Sequence, residues 1–147
     1  GQESRHNLVY WRYGDYLGIG PGAHGREAVV GADGHITPMA VRRHRAPDIW
    51  LDRVEKLGHG TQEEVALDRD ERLIEMVMMG LRLNEAIPLS RFDRVAGAGP
   101  RDVLDAERLE TLIVSGDLIC DGAGLRATQQ GRNRLNGVLG YLFDPAV

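Results

Sequence analysis

Four glycines within eight positions, Gly18, Gly20, Gly22 and Gly25 of the stretch Tyr16-Leu-Gly-Ile-Gly-Pro-Gly-Ala-His-Gly25, constrain this chain more than any other feature. Glycine has no Cβ, so such a stretch lets the backbone reach positive φ and come close to a ligand. In a dinucleotide-binding unit these glycines would open a helix whose N-terminus receives phosphate. The residues after Gly25 have a strand pattern instead. Ala28-Val-Val30 and His35-Ile-Thr37 flank Gly31-Ala-Asp-Gly34, which predicts a hairpin over 26–39 and excludes a Rossmann unit. The run Tyr16 to Ile19 that leads into the glycines reads as a buried strand.

Beyond the hairpin the apolar period changes from two to that of a helix. Pro47 and Asp48 open a helix through Leu57, with Ile49, Trp50 and Val54 on its apolar stripe and Gly58-His-Gly60 as its stop. Thr61-Gln-Glu-Glu64 has capping-box spacing and predicts the start of a helical lobe. Leu73, Ile74, Met76, Val77, Met78 and Leu81 nearly encircle a helix over 67–83, which is expected to be buried. Met39 and the three methionines of that helix (Met76, Met78, Met79) read as packing. A short helix runs from Pro88 to Gly97, and another carries Leu104, Leu109, Leu112 and Ile113 to a stop at Gly116. A hairpin of 117–120 and 125–127 comes next, and Thr128 caps a last helix bearing Leu135, Val138, Leu139 and Leu142. The fold expected is α+β, in three segments: 1–46 with the glycines and the hairpin, a linker helix at 47–60, and a helical domain at 61–147. Helix, helix, hairpin and closing helix is also the order of winged-helix modules.

Composition narrows the partners. The formal net charge is −4, and 18 Lys and Arg are dispersed without a long basic run. Arg126, Arg132 and Arg134 of the closing segment are set against Asp121 and Asp144, a surplus too small for a set of phosphate contacts, so nucleic acid is not an expected partner. No apolar run approaches the roughly 20 residues of a membrane helix, and the N-terminus lacks a signal pattern, which points to a cytoplasmic protein. Cys120, the single cysteine, reads as a buried thiol, and one thiolate cannot assemble an iron–sulfur cluster. Arg42-Arg-His-Arg45 is a small basic run suited to an anionic group such as a carboxylate, or to plain solvation. No serine has a hydrolase setting.

Ahead of the glycines stands His6-Asn-Leu-Val-Tyr-Trp11, with Tyr13 and Tyr16 just after it, and far downstream Glu75-Met-Val-Met-Met-Gly-Leu-Arg-Leu83. An imidazole beside flat aromatic side chains suits a planar porphyrin; it equally suits a structural hydrogen bond in an aromatic plug. Taken in order, the HNxxYW motif, the glycine loop and the 75–83 helix resemble the C-terminal part of radical S-adenosylmethionine (SAM) proteins of the oxygen-independent coproporphyrinogen III oxidase type. The haem-chaperone branch, whose members carry HNxxYW, is the nearer resemblance. It runs from about Arg5 to Leu142.

The resemblance implies the end of a radical SAM barrel and, after it, a helical, winged-helix-like domain. It implies SAM and a [4Fe-4S] cluster in the parent protein, with the cluster motif CxxxCxxC in a barrel upstream of Gly1, so that this chain is a fragment whose main partner is its own missing barrel. It places Gly20, Pro21, Gly22, Ala23 and His24 on the SAM side of that barrel. It makes His6, Asn7, Tyr10 and Trp11 the haem contacts, with His6 as iron ligand. A catalytic residue is not assigned, and the fragment alone is expected not to cleave SAM. The competing reading is a winged-helix-like module that binds protein or DNA.

Overall fold

The computed structural model describes residues 5–34 and 36–143, with side chains from Asn7 onward; His35, read as flanking a turn, lies outside the described residues. The chain forms two compact units, one of residues 14–68 and one of residues 1–13 with 69–147.

The first unit is built on a three-stranded antiparallel sheet of β1 (His24–Val30), β2 (Ile36–Arg43) and β3 (Thr61–Ala66), in that order. The hairpin reading holds for β1 and β2, whose register runs from His24 opposite Arg42 to Val30 opposite Ile36. Helix α2 (Pro47–Leu57) connects β2 to β3 and has the bounds its apolar spacing predicts; Gly58 ends it at φ 81°, where a side chain would be strained. Thr61-Gln-Glu-Glu64 is a correction. Instead of capping a helix it belongs to β3, where Glu63 and Glu64 stand opposite Arg42 and Val41. Cross-strand pairing of opposite charges outweighs the local cap, and Arg42 reaches Glu63 at 2.8 Å. The buried strand at 16–19 is a second correction: only Tyr16 pairs, with Arg26, while Leu17 and Ile19 are 67% and 85% exposed. Val41 is the one buried hydrophobic residue described in this unit.

The second unit has a real core. Around it lie α1 (Arg5–Trp11), α3 (Arg69–Gly80), α4 (Leu89–Ala96), α5 (Pro100–Val103), α6 (Ala106–Val114), the hairpin β4 (Leu118–Asp121) and β5 (Gly124–Ala127), α7 (Gln129–Asn133) and α8 (Leu135–Phe143). Met76, Val77, Leu81, Phe92 and Leu125 are wholly buried, each worth about 1.5–3 kcal/mol of transfer free energy if fully removed from water. Helix α3 buries one face through Leu73, Met76, Val77 and Gly80, while Ile74 and Met78 are exposed, so the expectation of a helix buried all round is replaced by an amphipathic one. The helix expected to carry Leu104 begins only at Ala106: α5 ends at Val103 with Leu104 as its C-cap, and Asp105 caps α6 by accepting the Arg108 amide at 2.9 Å. The closing helix likewise breaks at Arg134.

Close approach explains two glycines here. A Cβ on Gly80 would enter the Ile87 side chain, and one on Gly124, at φ 124°, would strike the Ile87 carbonyl. That contact matters because Ile87 and Leu125 exchange backbone hydrogen bonds of 2.8 and 3.1 Å, adding a one-residue third strand to the hairpin.

Candidate functional site

The motif His6-Asn-Leu-Val-Tyr-Trp11 is helical, and a helix advances about 100° per residue. His6, Asn7, Tyr10 and Trp11 therefore fall within about 140° of arc on one side of α1. Asn7 is exposed, Tyr10 and Trp11 half-buried; the His6 side chain lies outside the described residues. Helix α1 is held at its C-terminal end. Tyr13 turns the chain at φ 55°, its amide donates to the Tyr10 carbonyl at 2.9 Å, and its hydroxyl donates to Glu75 of α3 at 3.4 Å. Arg12 grips both carboxylate oxygens of Glu85 at 2.7 and 2.9 Å, and this fork holds the Glu85 carboxyl below its ordinary pKa. The motif is thus carried by the helical unit through contacts with α3 and the loop after it.

The glycine loop is built by different forces. Gly20 and Gly22 take φ of 101° and 71°, and a Cβ on Gly18 would collide with the His24 carbonyl. The Gly22 amide donates to the His44 carbonyl at 2.7 Å and the Ala23 amide to the Gly20 carbonyl at 3.3 Å. These donors are spent inside the unit, so a ligand here meets the open backbone at Gly20 and the exposed Pro21 and His24. Arg43 ties the loop down: its guanidinium donates to the Gly18 carbonyl at 3.1 Å, to Glu27 at 3.0 Å and to the Thr61 hydroxyl. Within the run 42–45, Arg42 meets Glu63 and Arg43 meets Glu27, Arg45 is exposed, and the buried Arg42 Nε and His44 Nε2 have no hydrogen-bond partner among the described residues.

Sequence reasoning missed Asp117. It is the buried charged residue of the described chain, 3% exposed, at the junction of α6, the hairpin and α7. Arg134 donates to both its oxygens at 2.7 Å, Ser115 donates at 2.8 Å and Gln130 at 3.3 Å. Led by Arg134, these donors hold its pKa below the ordinary carboxylate value although burial opposes them. No local pattern marks it, since its partners are 2, 13 and 17 residues away. The arginines around the hairpin are internally engaged: Arg126 with Asp121, Arg132 with the Ala127 carbonyl, Arg134 with Asp117. Helix α6 turns Glu107, Glu110, Thr111 and Val114 outward, an acidic and apolar surface.

Cys120 is half-buried, and burial pushes its thiol pKa up. The chain's single thiol does not fit a four-iron cluster, so no step through such a cluster is assigned to these residues.

A three-stranded sheet unit and a helical unit carrying this hairpin define a class already seen in solved structures. The structure titled "Coproporphyrinogen III oxidase (HemN) from Escherichia coli is a Radical SAM enzyme" matches with a TM-score of 0.60 over 91% of this chain and 29% of that one, at 20% identity, which carries the fold alone. Residues 67–133 match the HemN C-terminal domain family. Radical S-adenosyl methionine domain-containing protein 1, mitochondrial, of Mus musculus is 37% identical over 144 residues, 95% of this chain and 32% of that protein. The heme chaperone HemW of Escherichia coli is 32% identical over 139 residues, 95% of this chain and 34% of that protein. The chain is therefore similar to HemN and HemW proteins, with residues 67–133 matching the HemN C-terminal domain, and it spans about a third of the length of these curated relatives. No described helix is long and apolar enough to cross a membrane.

Proposed function

We propose that this chain is the C-terminal portion of a haem chaperone of the radical SAM class, in which the α1 motif binds haem. The observation that carries the reading is the placement of His6, Asn7, Tyr10 and Trp11 on one side of a helix anchored at Arg12 and Tyr13. In this reading His6 ligates the iron, Tyr10 and Trp11 cover the macrocycle, and Asn7 orients the site by hydrogen bonding. Haem, when bound, supplies an iron centre for transfer to a client; the chain's part is to hold and shield it.

The sheet unit of residues 14–68 closes the parent's barrel; the expected boundaries at 46 and 60 move, because α2 and β3 both belong to that unit and the helical domain resumes at Arg69. Gly20, Pro21, Gly22, Ala23 and His24 face SAM, and the parent barrel carries the [4Fe-4S] cluster. Support comes from the exposed apolar residues of the sheet unit, Leu17, Ile19, Val29, Val30, Ile36 and Val65, which call for a cover. Iron and sulfide reconstitution of the 147-residue chain is expected to yield no [4Fe-4S] spectrum and no deoxyadenosine. The compartment this reading gives is the cytoplasm, and cell fractionation decides between it and the mitochondrion printed in the name of the mouse relative.

Haem titration of the full-length parent and its His6→Ala variant, followed at the Soret band with both proteins checked for folding, tests the assignment. Weaker binding and a shifted Soret band are expected in the variant; an unchanged affinity and spectrum remove His6.

The order α3, the Ile87 bridge, α4, α6, β4 and β5 favours a winged-helix reading of the helical unit. The acidic outward face of α6 makes it a protein-binding module rather than a DNA-binding one.

A further inference from the structure

We propose that Arg42, His44 and Arg45, grouped around Gly22 of the glycine loop, form an oxyanion site that takes the carboxylate or phosphate of a small-molecule ligand. The site lies within residues 14–68, uses no residue of α1 and stands apart from the haem reading.

Register places the parts. His24 stands opposite Arg42, and the pairing continues past both strands: the Arg43 amide donates to the Ala23 carbonyl at 2.8 Å and the Gly22 amide to the His44 carbonyl at 2.7 Å. Side chains alternate along a strand, so Arg42 and His44 share one face with His24, and Glu63 stands opposite Arg42. The register shift skips Gln62 of β3, which leaves β2 regular. Arg43 belongs to the other face, where Glu27 and the Gly18 carbonyl engage it. The His44 backbone is fixed on its second side as well, because its amide donates to the Gly60 carbonyl at 3.0 Å.

On the shared face Arg42 Nε and His44 Nε2 are buried without a hydrogen-bond partner among the described residues. Leaving a buried polar group unpaired costs about 1–3 kcal/mol. The two residues are roughly 7 Å apart along the strand, close enough for one oxyanion to accept from both side chains. Gly22, opposite His44, carries no side chain, and the place of its missing Cβ is 3.8 Å from Arg45 Cα and Cγ. Arg45 is exposed and, among the described residues, has no ion-pair partner, so its charge stands beside the two orphaned atoms. An oxyanion supplies an acceptor for each nitrogen and the negative charge that Arg45 lacks. Arg42 spends one terminal nitrogen on Glu63 at 2.8 Å, an ion pair whose side chains are 36% and 51% exposed. Such pairs hold weakly, and a turn of Arg42 away from Glu63 is the step that brings Nε to the ligand.

The test uses the 147-residue chain, labelled with ¹⁵N, and follows the Nε–H of Arg42 and Arg45 and the imidazole of His44. Inorganic phosphate or acetate is expected to shift all three along one saturating curve, while sodium chloride at equal ionic strength leaves them in place. The tighter of the two anions names the ligand's group. Arg45→Ala changes an exposed side chain, so it should keep the wild-type circular dichroism and bind about tenfold more weakly, the loss of one charge-assisted contact. Arg42→Lys keeps a cation for Glu63 but has no Nε–H, and should lose as much. Chloride shifts of the same size reduce the effect to ionic screening and overturn the site. Unchanged affinity in Arg45→Ala and Arg42→Lys overturns it too. Shifts seen in the chain but missing from the full-length parent overturn the small-molecule assignment, since the parent's own side chains then fill the place.

Discussion

Arg134 donates two 2.7 Å hydrogen bonds to Asp117, joining the start of α8 to the residue that opens the hairpin after α6. Asp117 is buried while Arg134 keeps contact with water, so the pair has one desolvated partner, and Ser115 and Gln130 serve the remaining lone pairs of the carboxylate. Replacing Asp117 by Ala is expected to cost about 3 kcal/mol, as charge-assisted hydrogen bonds to a buried group are lost together. Urea denaturation measures it, and a loss within about 0.5 kcal/mol, the range of an ordinary surface change, would show the junction to be held by apolar packing alone.

The same group sets a pH dependence. The folded-state pKa of Asp117 is depressed, chiefly by Arg134, so its stabilisation is fully present above the unfolded carboxylate value, near pH 4, and is lost as pH falls through the folded value. Wild type should therefore lose stability from about pH 4 downward more steeply than Asp117→Asn. Parallel acid-unfolding curves would assign the acid sensitivity to other carboxylates.

A packing prediction concerns Leu81, which is wholly buried. Leu81→Ala should destabilise by about 2–5 kcal/mol, because lost transfer energy adds to the cavity left behind. Gly124→Ala should do comparable damage by another route. Its Cβ would meet the Ile87 carbonyl at a backbone conformation few side chains adopt, breaking the Ile87–Leu125 exchange. Loss of the two amides' exchange protection in Gly124→Ala is the specific readout.

Local signals carried much of this architecture. Helix α2 was legible because Pro47, the apolar stripe and Gly58 all act within its own length. The β4–β5 hairpin and the Thr128 cap were legible for the same reason, and Thr128 accepts the Gly131 amide at 3.0 Å as the cap requires. Strand β3 was not. Thr61-Gln-Glu-Glu64 satisfies a helix cap locally, and only pairing with β2, well earlier in the chain, makes it a strand. Asp117 was illegible because its chief partner comes from beyond the hairpin. Of the proposed site, the helical spacing of His6, Asn7, Tyr10 and Trp11 was readable in principle; the anchoring of α1 by Arg12 on Glu85 needs the fold.

Duplex DNA provides a direct test of the helical unit. Binding that releases counterions weakens steeply with salt and needs free cations, yet Arg126, Arg132 and Arg134 are engaged and α6 turns acids outward. No salt-sensitive binding is expected. Micromolar or tighter affinity at roughly physiological salt, lost in Arg132→Ala, would restore the DNA-binding reading.

The two units should differ in local stability. Residues 14–68 bury one described hydrophobic side chain, Val41, and expose Leu17, Ile19, Val29, Val30, Ile36 and Val65, whereas the helical unit buries a contiguous set from Leu73 to Leu142. Opening free energy rises with buried apolar contact, so amides of β1, β2 and β3 should exchange through low-energy openings while those of α3 and α6 exchange near the global limit. In the full-length parent the sheet amides should gain protection as the barrel covers those residues, and α3 should change little. Hydrogen exchange on the chain and on the parent measures both. Equal protection of sheet and core in the chain alone would mean that the sheet unit is stable without a cover, and would remove the exposed apolar residues as support for a barrel contact.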